Sequence, residues 1–152
     1  MEQPSAMQRP LSITRFERLY LGAIVVGLAS TMLGWSQSTA TFAANAMLAE
    51  RMWILPATVL GGIVLRVALW YFTARQPSIA AKWIVVALAA LSGIILLFGV
   101  VALITGATPS LAASLAGIIS GALYVVAAAY LFRPDARAWF GETDLTEQEH
   151  DA

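Results

Sequence analysis

The chain is 152 residues long, 59% hydrophobic and 12% charged, with a mean hydropathy of +0.75, which is too apolar for an ordinary soluble domain and places it in a bilayer. Formal net charge is zero and the nine Lys and Arg residues are scattered, so no nucleic-acid partner is expected. With no cysteine, and His150 as the one histidine, the composition excludes disulfides and thiol chemistry and leaves a zinc site without its usual ligands.

Residues 1–18 read as a cytoplasmic N-terminal segment carrying Arg9, Arg15 and Arg18. Within it Thr14-Arg15-Phe16-Glu17 fits a Thr-x-x-Glu capping box, in which two side chains satisfy orphan N–H groups at a helix start. Glu17 is therefore expected to be a capping residue, the alternative being a proton-coupling carboxylate.

Residues 19 to 49 carry no charge, and neither do residues 83 to 132. At roughly 20 residues per span, the chain is predicted to be all-α, a polytopic membrane protein whose domain, 19–132, is a bundle of four transmembrane helices. The spans are expected at about 19–35, 53–73, 83–105 and 110–132. Ala44-Asn45-Ala46 resembles a signal-peptide cleavage site, but the apolar core before it is longer than the usual stretch of about 7 to 15 residues, so the first helix is read as a span. The Ala-rich outer segment 36–52 lacks Gly and Pro and is predicted to form a short surface helix or an outward extension of the second span. Glu50 and Arg51 read as its solvated rim.

The second span contains LGGIVLRVALWYF, residues 60–72, with an arginine inside it. Arg66 stands nine residues before Arg75, about 13 Å deeper at 1.5 Å per residue. The plain expectation is that it snorkels past Trp70 to the inner interface. In the alternative it faces the bundle and binds Glu17, the hydroxyls of Ser30 or Thr31, or an anionic ligand. The turn TGATPS, residues 105–110, with Thr108 as N-cap and Pro109 first in the helix, predicts a tight hairpin of the last two spans. The last of these holds Ala113, Gly117 and Gly121 at intervals of four, and Ala23-Gly27, Ala57-Gly61, Ala89-Gly93 and Ala102-Gly106 repeat the spacing. Small residues so placed let helix backbones approach closely, within one chain or between copies. Residues 133–152 are expected to be a solvated acidic tail.

Seven basic residues, Arg9, Arg15, Arg18, Arg75, Lys82, Arg133 and Arg137, fall on one side of the predicted spans, with Arg51 alone on the other. The positive-inside rule then puts both termini in the cytoplasm. Tyr20, Trp35, Trp53, Trp70, Tyr71, Trp83, Tyr130, Phe132 and Trp139 are expected near the interfaces.

With RPLSITRFERLYL near its start and YLFRPDARAWF near its end, the chain resembles small four-span inner-membrane proteins of bacteria over nearly its whole length. The resemblance implies a bacterial inner-membrane location and brings no activity with it. Small multidrug-resistance transporters place a glutamate within the first span, whereas Glu17 precedes it here. AANAMLAE, residues 43–50, matches the motif of membrane-bound eicosanoid and glutathione enzymes only at Ala44 and Asn45.

No nucleophile stands next to a base, so the chain is read as a non-enzyme without cofactor or metal. The leading expectation is a structural or accessory subunit in contact with the lipid bilayer and with another membrane protein or further copies of itself. The alternative is a small oligomeric transporter or channel with Arg66 lining an anion path.

Overall fold

A computed structural model describes residues 9–108 and 110–142. Its regular elements are all helices: α1 (Leu11–Leu33), α2 (Trp35–Ala44), α3 (Ala46–Ala49), α4 (Ile54–Ala74), α5 (Ile79–Ile104), α6 (Leu111–Tyr130) and α7 (Pro134–Trp139). Four of them, α1, α4, α5 and α6, are long and apolar enough to cross a membrane. The protein is an all-α, four-span bundle.

The helix starts differ from the sequence expectation where local chemistry outweighs hydropathy. α1 begins at Leu11 behind Pro10, with the Thr14 N–H on the Pro10 carbonyl at 3.1 Å, so Thr14 and Glu17 already lie inside the helix. The Thr14–Glu17 capping box does not form. Because of this early start Tyr20 lies within α1 and is buried, not at an interface. α5 begins at Ile79, with the Ser78 hydroxyl accepting from the Ala81 N–H. α6 is capped by Ser110, which accepts from the Ala113 N–H; Thr108 is not the cap, and Pro109 lies outside the described residues.

The α5–α6 turn closes as a Schellman motif. Ala107 N–H bonds to the Ala102 carbonyl at 2.9 Å and Gly106 N–H to that of Leu103 at 3.3 Å, with Gly106 at φ +69°. The outer segment is helical, as α2 and α3, but helical bonds run into and out of Gly34, from its N–H to the Ser30 carbonyl and from the Ser38 N–H to its own carbonyl. It therefore continues the first span, not the second.

Small residues decide which helices meet. Across α1 and α6, which run antiparallel, Ser30 Oγ donates to the Ala113 carbonyl and Ser120 Oγ to that of Ala23, both at 2.8 Å. A Cβ on Gly27 would stand 2.9 Å from Ser120 Oγ, and one on Gly117 3.3 Å from Ser30 Oγ. One turn further along α6, Gly121 meets Leu96 of α5, and Gly93 of α5 meets Val125. Gly117 and Gly121 thus seat two different helices of the same chain against α6, while Ala23 and Ala89 are buried beside them. Two expected small-residue pairs are not used in this way: Gly61 has nothing near it and Gly106 serves the turn.

The core lies toward the end of the bundle that holds the start of α1 and α7, here the proximal end, and comprises Ile13, Phe16, Tyr20, Leu69, Val85, Tyr124, Leu131 and Phe140 among others. α7 closes it. Ser12 donates to Asp135 through its hydroxyl at 2.6 Å and its N–H at 3.1 Å, and Trp139 Nε1 donates to the Thr73 carbonyl at 3.4 Å. A second Schellman turn at Gly141 brings Glu142 back onto Lys82 at 2.5 Å. Residues 133–142 are thus a docked cap and not the start of a solvated tail; residues 143–152 lie outside the described residues. At the other, distal end the bundle is open, because α4 buries only Leu69, Thr73 and Ala74, all near its proximal end.

Candidate functional site

Separation of α4 from its neighbours leaves a cleft, and Arg66 is in it. A side chain on a helix leans toward the helix N-terminus, which for α4 is the distal end. Arg66 Nη1 donates to the Gly62 carbonyl, one turn distal, at 3.3 Å. Gly62 has the room, since a Cβ there would stand 3.0 Å from that nitrogen. The expected snorkelling past Trp70 does not occur. It is Arg75 whose guanidinium covers Trp70, at 5.6 Å.

Across the cleft the Arg66 guanidinium lies 5.5 Å from the centroid of the Tyr124 ring on α6, a cation–π distance. Tyr20 of α1 meets Tyr124 edge-on at 5.2 Å, and Phe16 follows Tyr20 at 5.1 Å. These three rings and Leu69 close the proximal end. The guanidinium stands near the floor of the cleft, and only a small void continues proximally beyond it.

Two adjoining cavities share Gly27, Thr31, Arg66, Ser120 and Tyr124. One, of about 240 Å³, lies between α1 and α4 and is lined also by Thr58 and Ile63. The other, of about 490 Å³, is lined by Ser30, Ser92 and Ser114 and reaches Thr108 at the α5–α6 turn. A smaller one of about 90 Å³ continues past Ser92 and Arg66 to Tyr20. Polar side chains thus mark a route from the distal end to Arg66.

No carboxylate lines that route among the described residues. Glu17, a sequence candidate as partner for Arg66, instead bridges Arg9 at 3.0 Å and Arg75 at 3.2 Å at the proximal rim. Of the hydroxyls named from the sequence, Ser30 and Thr31 do line cavities reaching Arg66, but they donate to the Ala113 and Gly27 carbonyls. The Tyr124 hydroxyl is buried without a hydrogen-bond partner among the described residues. Comparison with known protein families, with curated proteins and with solved structures returned no match.

Sequence reasoning missed Tyr124, Ser92 and Ser120. For Tyr124 a signal existed, because a tyrosine well inside the last span is not an interfacial anchor and needs another role. Among the described residues there is no group of three His, Cys, Asp or Glu side chains able to hold a metal ion.

Proposed function

We propose that this is a bacterial inner-membrane protein with cytoplasmic termini that takes up a small anion from the opposite side onto Arg66, as the entry site of a transport path. The basic residues at the proximal end support the orientation. One observation carries the reading over that of an accessory subunit: the guanidinium at the floor of the cleft has no carboxylate partner among the described residues. A charge held at such depth costs from roughly 3 to more than 10 kcal/mol, depending on how much water follows it. An anion arriving from the distal end offsets that cost with charge-assisted hydrogen bonds.

The test is thermal unfolding of the purified protein in nanodiscs against a series of phosphate and carboxylate anions. A ligand present at about 100 times its Kd raises stability by about 2.7 kcal/mol. That rise is expected for the wild type, absent in Arg66→Leu, and reduced in Arg66→Lys, which keeps the charge but loses the planar fork of donors. If no anion stabilises the wild type, or if Arg66→Leu responds as the wild type does, the reading is wrong.

A further inference from the structure

We infer that the ligand of the Arg66 cleft carries hydroxyl groups beside its anionic group, as a polyol phosphate or a short hydroxycarboxylate does, and is neither a bare anion nor an alkyl acid. This rests on the anion-binding reading above and adds the class of ligand. The argument is a count of donors. A hydroxyl has one O–H to give and two lone pairs to receive. In the walls of the 240 Å³ cavity Thr31, Thr58 and Ser120 each give their O–H to a backbone carbonyl, of Gly27, Leu55 and Ala23, at 3.0, 2.8 and 2.8 Å.

The walls therefore offer oxygen lone pairs and no donors from these side chains. At the floor the pattern is reversed. Arg66 spends one N–H contact on Gly62 and keeps the others. A matching ligand accepts at one end and donates along its length. With no carboxylate on the walls, neutral donors fit better than a second charge, because a buried ammonium would lack compensation. Size agrees: the 240 Å³ cavity has the room of about eight waters at about 30 Å³ each, enough for a small polyol phosphate. A free polyol phosphate and the glycerophosphate headgroup of a lipid share this chemistry.

The experiment compares matched probes on the full chain in phosphatidylcholine nanodiscs. Glycerol 3-phosphate is set against n-propyl phosphate, and glycerate against butyrate, by calorimetric titration. Either hydroxylated probe is expected to bind at least tenfold more tightly than its alkyl twin. Thr31→Val and Thr58→Val, which remove wall oxygens and leave the contacts between helices in place, should each cost the hydroxylated probe about tenfold and the alkyl probe nothing. Nanodiscs containing phosphatidylglycerol separate the sources. Competition by that lipid assigns the headgroup; its absence assigns the soluble anion.

Equal binding within each pair, abolished by Arg66→Leu, overturns the hydroxyl inference and leaves the anion site standing. Failure of all four probes and of phosphatidylglycerol to bind in an Arg66-dependent way overturns both.

Discussion

Arg66, inside α4, and Arg75, its C-cap, point to opposite ends of the bundle. Arg75 pairs with Glu17 at 3.2 Å at the proximal rim, whereas Arg66 turns back to Gly62 and over Tyr124. One arginine is held in an ion pair and the other faces the cleft without a carboxylate among the described residues. The chain has no native cysteine, so this difference is directly testable. Cysteine at position 66 or 31 should react with a membrane-impermeant thiol reagent applied from the distal side, and cysteine at buried position 69 should not. Labelling of Arg66→Cys only from the proximal side would place the mouth of the cleft at the wrong end.

Glycines of similar sequence context are expected to differ in tolerance. Gly27→Ala puts a Cβ 2.9 Å from Ser120 Oγ and displaces the bond from Ser120 to Ala23, which should cost about 1 to 3 kcal/mol. Gly61→Ala meets nothing within 4 Å and should be neutral. Unfolding in mixed micelles with a denaturing detergent measures both.

The pair of Lys82 and Glu142 should respond asymmetrically. The Lys82 side chain is 1% exposed and that of Glu142 30%, and the Lys82 ammonium also lies 5.4 and 5.1 Å from the rings of Phe132 and Phe140. Glu142→Ala leaves a buried ammonium without its carboxylate, a loss of about 3 kcal/mol or more. Lys82→Met leaves a carboxylate that water can reach and a thioether in an apolar setting, and should cost much less. Equal losses would show that the charge is not the controlling feature of the cap.

Acid should loosen α7. The Ser12 hydroxyl, and after it the Ser12 N–H, hold the Asp135 carboxyl below its ordinary range. A depressed carboxylate contributes stability that is present above its unfolded pKa and is lost as pH falls through the lower folded value. Release of α7, followed by Trp139 fluorescence, is therefore expected only at pH below the usual carboxylate range. In Ser12→Ala, which keeps the N–H bond and loses the hydroxyl bond, release should move to higher pH.

Loss of Glu17 should matter little. Its own side chain is 15% exposed but its two arginine partners are 39% and 44% exposed, so water screens both pairs from the arginine side and they contribute about 1 kcal/mol. Glu17→Gln is expected to unfold within about 1 kcal/mol of the wild type and to bind the same anions. A loss of anion binding in this variant would tie the proximal rim to the site.

Apolar run length and the polar breaks between runs were enough to place four spans, because crossing a bilayer is a demand that each segment meets alone. The hairpin after the third span was legible from TGATPS, although the cap is Ser110 and not Thr108 and the turn is made by Gly106 at positive φ. The start of α1 was not, because Pro10 opens the helix ahead of the hydrophobic run on which the sequence reading relied. The facing of Arg66 was also hidden. In soluble helices an apolar stripe marks the buried side, but a span is apolar on its lipid side as well, so periodicity says little about which face meets the bundle. Only the packing of α1 on α6 through Gly27 and Gly117, with α4 held at its proximal end alone, opens the cleft and sets Arg66 over Tyr124. Each of those relations joins residues far apart in the chain, and their geometry exists only once the helices have docked.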